Sequence, residues 1–208
     1  MISPPILANS LVDLFQDGGP IMWPIAAVTL FAVAILAERA WWWFQLGRQR
    51  RPDLVEQTLT ALDKGDTPGA LKLCANATDP VLRVMHAGLT HRHASLTGAL
   101  QAAAGLELRQ AGRFLSAMDT IITLAPLLGL LGTVTGIMGS FSSIGGSELA
   151  VEKVTGGIGE ALIATAFGLG IAIITLIPYN WCHAKIAGLQ HDLETAANNL
   201  EIFTARTS

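Results

Sequence analysis

Apolar residues are gathered into three long runs along this chain, and polar residues fill most of the remainder. The first run, residues 21–37, contains no charged side chain, and a helix that begins there can continue to Phe44. The second run covers residues 120–147 and the third covers residues 161–182. A helix needs about 20 apolar residues to cross a bilayer at ~1.5 Å of rise per residue. Each run therefore predicts one transmembrane helix.

The polar stretch between the first and second runs has a helical period. In "PDLVEQTLTALDKGD" the apolar residues Leu54, Val55, Leu59 and Leu62 share one stripe, and the pattern stops near Gly65. These features predict an amphipathic helix that lies outside the membrane.

Start signals for two further helices follow. Thr67 is predicted as an N-cap with Pro68 at the first helical position, and Asp79 with Pro80 repeats this arrangement. From there the pattern at residues 96–119 is helical and predicts no break ahead of the second span.

These patterns predict an all-α membrane protein with three transmembrane helices and long helices that extend into the cytoplasm. The composition agrees, since 51% of the residues are hydrophobic, 14% are charged and the mean hydropathy is +0.47. The predicted segments are an outer-face N-terminal segment (1–19), transmembrane helix 1 (20–44), a cytoplasmic helical insert (45–117), transmembrane helix 2 (118–146), a periplasmic hairpin (147–150), transmembrane helix 3 (151–182) and a cytoplasmic helical tail (183–208).

The distribution of basic residues predicts the orientation in the membrane. No Lys or Arg precedes Arg39, whereas ten lie between the first and second spans, four of them just after the first span. The hairpin between the second and third spans has only Lys153, and the C-terminal tail has Lys185 and Arg206. Because basic loops stay in the cytoplasm, we expect a periplasmic N-terminus and a cytoplasmic C-terminus.

The reactive side chains predict no catalytic or metal site. Cys74 and Cys182 are distant in sequence, and both fall on the predicted cytoplasmic side, where thiols remain reduced. His91 and His93 have no cysteine or acidic partner at ligand spacing. The chain contains no nucleophile–base pair, GxGxxG motif or P-loop. We therefore expect neither an enzyme nor a cofactor, and no nucleic-acid partner.

The second and third spans each carry a narrow face of small residues, about 80° and about 100° wide on a wheel of about 100° per residue. In the second span these are Gly129, Gly132, Gly136 and Gly139, with Thr133 at the edge of the face. In the third span they are Ala161, Ala164, Thr165, Gly168, Ala172 and Thr175. Lipid gives helices no hydrophobic incentive to associate, so these faces predict close helix–helix packing.

Glu160 is the polar residue that packing alone does not explain. It lies about 40° from Ala164, at the border of the small face, with the third helix expected to begin near Val151. A carboxylate at this depth costs at least ~2.5 kcal/mol unless it faces water or a partner. Glu160 is thus expected to border a hydrated path or an inserted partner. In the alternative interpretation it caps a helix that starts late, at the pair Gly156–Gly157.

At these residues the sequence resembles the MotA/TolQ/ExbB proton-channel family, and "GLLGTVTGIM" favours its ExbB branch over TolQ. The resemblance runs from "AERAWW" through "GDTPGALKLC" and "DPVLRVMHAGL" to "APLLGLLGTVTGIMGSF" and "GGIGEALIATAFGLGIAI". Many members have Trp at the position of Thr135, and in this chain the proline of the third span comes late, as Pro178. The paired motifs lie in the family's order and at its separation.

The resemblance implies a homopentamer whose second and third helices line a central pore. That pore would hold the single transmembrane helices of an ExbD/TolR-like partner, which carries an aspartate, and a TonB- or TolA-like protein is a further partner implied. Carried over by motif, Thr133, Glu160 and Thr165 match the residues that line the proton path. The function implied is coupling of the proton motive force to transport or envelope work at the outer membrane. A non-conducting structural scaffold of a cell-envelope complex is the alternative, and such a scaffold would tolerate the loss of these three side chains.

Overall fold

The computed structural model describes residues 12–142 and 149–206, and every regular element in these ranges is helical. Residues 12–17 form a short helical segment. The helices that follow are α1 (Met22–Gln49), α2 (Pro52–Asp63), α3 (Thr67–Cys74), α4 (Pro80–Thr90), α5 (Arg92–Ala111), α6 (Leu115–Ser142) and α7 (Leu149–Arg206). Three stretches are long and apolar enough to cross a membrane, namely Met22–Gln49, Arg92–Phe141 and Val154–Thr204. The predicted class, an all-α protein with three membrane-spanning helices, is confirmed.

Two predicted outer segments fall partly outside the described residues. Of the N-terminal segment, residues 1–11 lie outside them, and of the hairpin, residues 147–148 do. The described part of the third helix begins at Leu149, eleven positions ahead of Glu160. The alternative in which Glu160 caps a late-starting helix is therefore wrong, because Gly156 and Gly157 are already helical.

The chain divides into two compact units. The first comprises Met1–Ala37 and Phe114–Asn180, and the second comprises Glu38–Arg113 and Trp181–Ser208. The core of the first unit is built from one face of each of its helices, by Met22, Ile25, Ala32, Ile35, Met118, Ile121, Ala125, Ala164 and Ile171. Its outer faces are apolar and exposed, as lipid-facing or subunit-facing surfaces require, and include Leu30, Phe31, Leu127, Leu130, Met138, Leu162, Ile173 and Ile177.

In the second unit the short helices α3 and α4 each begin at an aspartate that caps the helix. The Asp79 carboxylate, 1% exposed, accepts hydrogen bonds from the backbone N–H of Val81 at 2.8 Å and of Arg51 at 2.6 Å, and Pro80 follows it. The predicted cap at Asp79 is confirmed. The predicted cap at Thr67 is wrong by one residue, because Asp66 accepts from the N–H of Gly69 at 2.8 Å. Asp66 and Thr67 are adjacent and both can cap a helix, and the N-cap is Asp66, the more strongly preferred residue type.

The expected uninterrupted helix over residues 96–119 is also wrong. Residues 112–114 form a turn between α5 and α6, and Phe114 has φ +66°, in the left-handed region. Such a conformation costs about 1–2 kcal/mol for a residue with a Cβ. Its side chain packs against the apolar core of the first unit, and this burial offsets the cost.

Arg39 is the largest fully buried side chain of the second unit, at 2% exposure. Its Nη1 donates to the carbonyl oxygen of Ala111 at 3.2 Å, where α5 ends, and to that of Gln110 at 3.4 Å. Its Nε donates to the Glu38 carboxylate at 2.6 Å. The guanidinium thus binds carbonyls at a helix C-terminus, where a cation is favoured.

Candidate functional site

The small faces of α6 and α7 meet in the first unit at close range. A Cβ added to Gly168 would lie 2.4 Å from the carbonyl oxygen of Ala125, and one added to Gly129 would lie 2.9 Å from the Cα of Thr165. Real Cβ contacts are essentially never shorter than 3.0 Å, so these two glycines permit backbone-to-backbone approach.

The contact continues along α6 toward its C-terminal end. A Cβ on Gly132 would lie 2.6 Å from the Cβ of Ala164, and one on Gly136 would lie 2.8 Å from the carbonyl oxygen of Gly157. Ala164 is completely buried and Ala172 is 8% exposed. Small side chains at these positions allow the two helices to pack along several turns.

Gly139 lies on the same predicted face but differs from the other glycines. A Cβ added there would meet no atom within 4 Å. Gly139 instead lines an open recess at this end of α6, so a substitution at this position would meet space and not a neighbouring helix.

The two threonines carried over by motif direct their hydroxyl groups at backbone carbonyls. Thr165 Oγ1 donates across the helix pair to the carbonyl oxygen of Gly129 at 2.9 Å. Thr133 Oγ1 donates within α6 to the carbonyl oxygen of Leu130 at 2.7 Å. Each hydroxyl oxygen keeps acceptor capacity for a further donor such as water.

Glu160 lies in a recess of about 700 Å³, which is called the recess below. Its lining residues are Pro20, Ile21, Thr135, Gly136, Gly139, Ser140, Gly157 and Glu160. The carboxylate is half-buried, about three turns into α7. It therefore shares an open volume with two hydroxyl-bearing side chains, Thr135 and Ser140.

The structure does not bring the three carried-over residues into one cavity. Neither Thr133 nor Thr165 lines the recess. Glu160 and Thr165 are five residues apart on α7, which places them about 140° apart around the helix. Thr165 faces the α6 contact, whereas Glu160 faces the segment that precedes α1.

Sequence reasoning missed three residues that surround Glu160. Ser140 lies about 20° from Gly129 on the α6 wheel, so periodicity alone places it on the small face. Thr135 lies off the small face, so the pattern gave no indication of it. Gly19 belongs to a Gly-Gly-Pro turn signal, but its contact with Glu160 joins residues 141 positions apart. Periodicity does not report contacts at such separation.

No metal centre competes with this site within the described ranges, where no group of three or more His, Cys, Asp or Glu side chains is placed to hold an ion. Several carboxylates in these ranges pair with cations, as Glu107 does with Arg83 at 2.6 Å. The chemistry available at Glu160 is that of a single carboxyl group with hydroxyl groups and backbone carbonyls near it.

Comparison with known proteins gives concordant matches. The model of the MotA/TolQ/ExbB proton channel family matches residues 76–195, more than half of the chain. The chain is 42% identical over 167 residues to a putative biopolymer transport protein ExbB-like 3 of Synechocystis sp., covering 77% of this chain and 79% of that protein. It is 36% identical over 177 residues to ExbB-like 1 of the same organism, covering 81% and 69%.

Shorter matches reach proteins named ExbB itself. The biopolymer transport protein ExbB of Neisseria gonorrhoeae is 39% identical over 89 residues, which cover 42% of this chain and 40% of that protein. The range of the family model, residues 76–195, contains the motifs of the second and third spans, and the resemblance noted in the sequence is confirmed. The chain belongs to the MotA/TolQ/ExbB proton channel family, in its ExbB branch.

Proposed function

We propose that this chain is the channel subunit of a bacterial inner-membrane complex that couples the proton motive force to transport or envelope work at the outer membrane. Membership of a proton channel family supports the class of function, and the relatives' names, biopolymer transport proteins, support transport as the process served. The three apolar helices support a membrane location. The family is one of channels and not of enzymes.

Glu160 is the observation that carries the proposal. It is an ionisable group about three turns into an apolar helix, and its carboxylate borders an open recess with Thr135 and Ser140. An intramembrane carboxylate of this kind is costly and is retained where ions or protons pass. The proposed proton path comprises Thr133, Glu160 and Thr165; the two threonines are included on the family motif, since neither lines the recess.

The proposed assembly is a homopentamer around the single transmembrane helices of an ExbD/TolR-like partner, with a TonB- or TolA-like protein as a further partner. Exposed apolar faces on α6 and α7, including Leu130 and Leu162, supply surfaces for neighbouring subunits. Native mass spectrometry of the detergent-solubilised complex is expected to give five copies. Monomers or dimers throughout would contradict this assembly.

The proposed topology has the N-terminus in the periplasm and the C-terminus in the cytoplasm. It is supported by ten basic residues between the first two spans against Lys153 alone in the hairpin. Reporter fusions at Ser147 and at the C-terminus should report opposite compartments, and a shared compartment would refute the topology.

The decisive experiment replaces Glu160 by Gln, which keeps the size and removes the ionisable group. Partner-dependent proton uptake by vesicles containing the purified complex should fall at least about tenfold, equivalent to a barrier raised by roughly 1.4 kcal/mol. Glu194→Gln is the matched control, because Glu194 is an exposed carboxylate on the same helix, beyond the uncharged run of residues 161–182. Pull-down of the partner verifies assembly. Wild-type uptake by Glu160→Gln would refute the proposed role of this carboxylate.

A structural scaffold that conducts nothing is the second candidate, and the hydrogen bond from Thr165 to the Gly129 carbonyl favours it. A hydroxyl used for packing stabilises the helix pair whether or not protons pass. Thr165→Val removes this donor and Thr165→Ser keeps it. In a scaffold, Val lowers thermal stability and the wild-type complex shows no partner-dependent uptake. In a channel, Val also lowers uptake, and Ser restores it.

A further inference from the structure

The turn that precedes α1 packs directly against Glu160. Gly19 has φ +71°, and a Cβ added to it would lie 1.6 Å from Oε1 of Glu160, 2.3 Å from Cδ and 2.9 Å from Cγ. One residue earlier, a Cβ on Gly18 would lie 3.1 Å from Cγ2 of Ile163. The backbone of this turn is therefore in contact with the Glu160 face of α7, and only glycine at position 19 leaves the carboxylate where it is.

The same turn forms one wall of the recess. Pro20 and Ile21 line it together with Glu160, and Thr135 and Ser140 line it from α6. Thr135 Oγ1 donates to the carbonyl oxygen of Leu131 at 3.0 Å, and Ser140 Oγ donates to that of Gly136 at 2.9 Å. Since each hydroxyl has committed its proton to the backbone, its oxygen lone pairs remain as acceptors for water.

The volume of the recess suits a chain of waters. A water occupies about 30 Å³ in the liquid and needs two to four polar partners. About 700 Å³ accommodates many such molecules, and the two hydroxyl groups and the Glu160 carboxylate supply polar partners on opposite walls. Conduction of protons along water needs this kind of polar, continuous space.

Deeper along the contact of α6 with α7, the described helices leave no room for water between them. Between α6 and α7 the Gly168 and Ala125 backbones approach so closely that an added Cβ would lie 2.4 Å from a carbonyl oxygen. Ala164, one turn from Glu160, is completely buried. The helix contact is thus dry, and the recess is the hydrated side of the carboxylate.

We propose that the recess is the water-filled route by which protons from the outer side reach Glu160, and that Gly19 is a positioning residue that holds the carboxylate at its wall. The segment that precedes the first transmembrane helix then contributes directly to the site, through Gly19, Pro20 and Ile21. This inference rests on the proposed function for the role of Glu160 in proton transfer, whereas hydration of the recess stands independently.

Hydration is tested by cysteine accessibility in the full complex. Thr135→Cys places a thiol in the recess, and Val134→Cys places one at the neighbouring position on the exposed apolar face of α6. The native Cys74 and Cys182 are each 1% exposed and give little background. A charged, membrane-impermeant methanethiosulfonate added from the outer side should label Thr135→Cys at least about tenfold faster, because the reactive thiolate forms only where water reaches it. Equal rates would refute a hydrated recess.

Positioning is tested by a double-mutant cycle between Gly19 and Glu160. Gly19→Ala should lower proton uptake about fivefold, the usual scale of coupling between residues in contact. Glu160→Asp withdraws the carboxylate by one methylene, so Gly19→Ala should cause no further loss in that background. Gly65→Ala is the matched control, because Gly65 has φ +78° and so the same backbone strain. An equal loss from Gly19→Ala in both backgrounds, or no loss in either, would refute the positioning role.

The two proposals fail in different ways. If the wild-type complex takes up no protons while Thr135→Cys is labelled rapidly, the proposed channel function is refuted and the hydrated recess is supported. If uptake requires Glu160 but Thr135→Cys resists labelling, the channel stands and the access route is wrong. Pull-down of the partner confirms assembly of each variant, and the labelling rate decides the route even where Gly19→Ala does not assemble.

Discussion

Substitution of Gly168 by Ala should separate α6 from α7 and destabilise the first unit. The added Cβ would lie 2.4 Å from the carbonyl oxygen of Ala125 and 3.2 Å from the Cα of Gly129. A comfortable C···O distance is about 3.3–3.6 Å, so the helices must move apart by about 1 Å. Both obstructing atoms belong to the backbone, and no side-chain rotation can relieve the contact.

The size of the destabilisation follows from the contacts that are lost when the two helices separate. The hydrogen bond from Thr165 Oγ1 to the Gly129 carbonyl, at 2.9 Å, would stretch past the useful limit, and such bonds in membranes are worth about 0.6 kcal/mol on average. A gap of about 0.5–1 Å also forfeits a quarter to a half of each dispersion contact along the face. Together with the usual cost of overpacking, about 1–3 kcal/mol, we expect a destabilisation of about 2 kcal/mol relative to a neutral Gly→Ala change.

Gly170→Ala provides that neutral reference, two residues along the same helix, because a Cβ there would meet no atom within 4 Å. Both variants gain the helix propensity of Ala, about 1 kcal/mol, so their difference isolates the helix contact. Thermal unfolding in detergent, followed by tryptophan fluorescence, should place Gly168→Ala about 4–8 °C below Gly170→Ala. A Gly168→Ala protein at least as stable as Gly170→Ala would refute the close contact.

Two further predictions concern the second unit. Asp79→Ala should lower the free energy of unfolding by about 2–3 kcal/mol, because it leaves two backbone N–H groups unpaired at a buried position. Asp66→Ala should lower it by about 1 kcal/mol, because this cap is exposed. Chemical unfolding of the two variants measures the difference, and equal losses would contradict the burial argument. Burial raises the pKa of the Cys74 thiol, so the unfolded thiol ionises first and stability should fall as the pH rises above about 8.5. The unfolding temperature between pH 7 and pH 9.5 should decline more steeply for wild type than for Cys74→Ala, and parallel declines would contradict this linkage.

Local sequence signals predicted the elements whose causes are local. Three uncharged runs predicted the three spans, and the Asp79–Pro80 pair predicted the start of α4 because the cap and the proline act within one turn. The cap at Asp66 was missed by one position, since adjacent Asp and Thr side chains can both accept from the first turn. The turn at residues 112–114 was missed because the left-handed Phe114 is stabilised by packing against the apolar core of the first unit, whose residues are distant in sequence. Only Gly112 gave any sequence signal for that turn.

The candidate site was predictable to the same extent. Periodicity grouped Gly129, Gly132 and Gly136 on one face and placed Glu160 at the border of another, because these relations lie within single helices. It could not indicate that Gly19 meets Glu160, because that contact depends on how the chain enters α1. It also could not show that the Thr165 hydroxyl donates a hydrogen bond to the Gly129 carbonyl of α6.

The burial of Arg39 has a consequence for the behaviour of the second unit in concentrated salt. At about 1 M ionic strength the Debye length is roughly 3 Å, and attraction between exposed charges is largely screened. The Arg51–Asp53 pair is more than half exposed on both sides and should lose most of its attraction there. Arg39, at 2% exposure, holds the last carbonyls of α5 out of reach of mobile ions. The end of α5 should thus stay bound to Arg39 at ionic strengths that break the exposed ion pairs. In concentrated salt, this unit should therefore lose its surface ion pairs while its buried contacts persist.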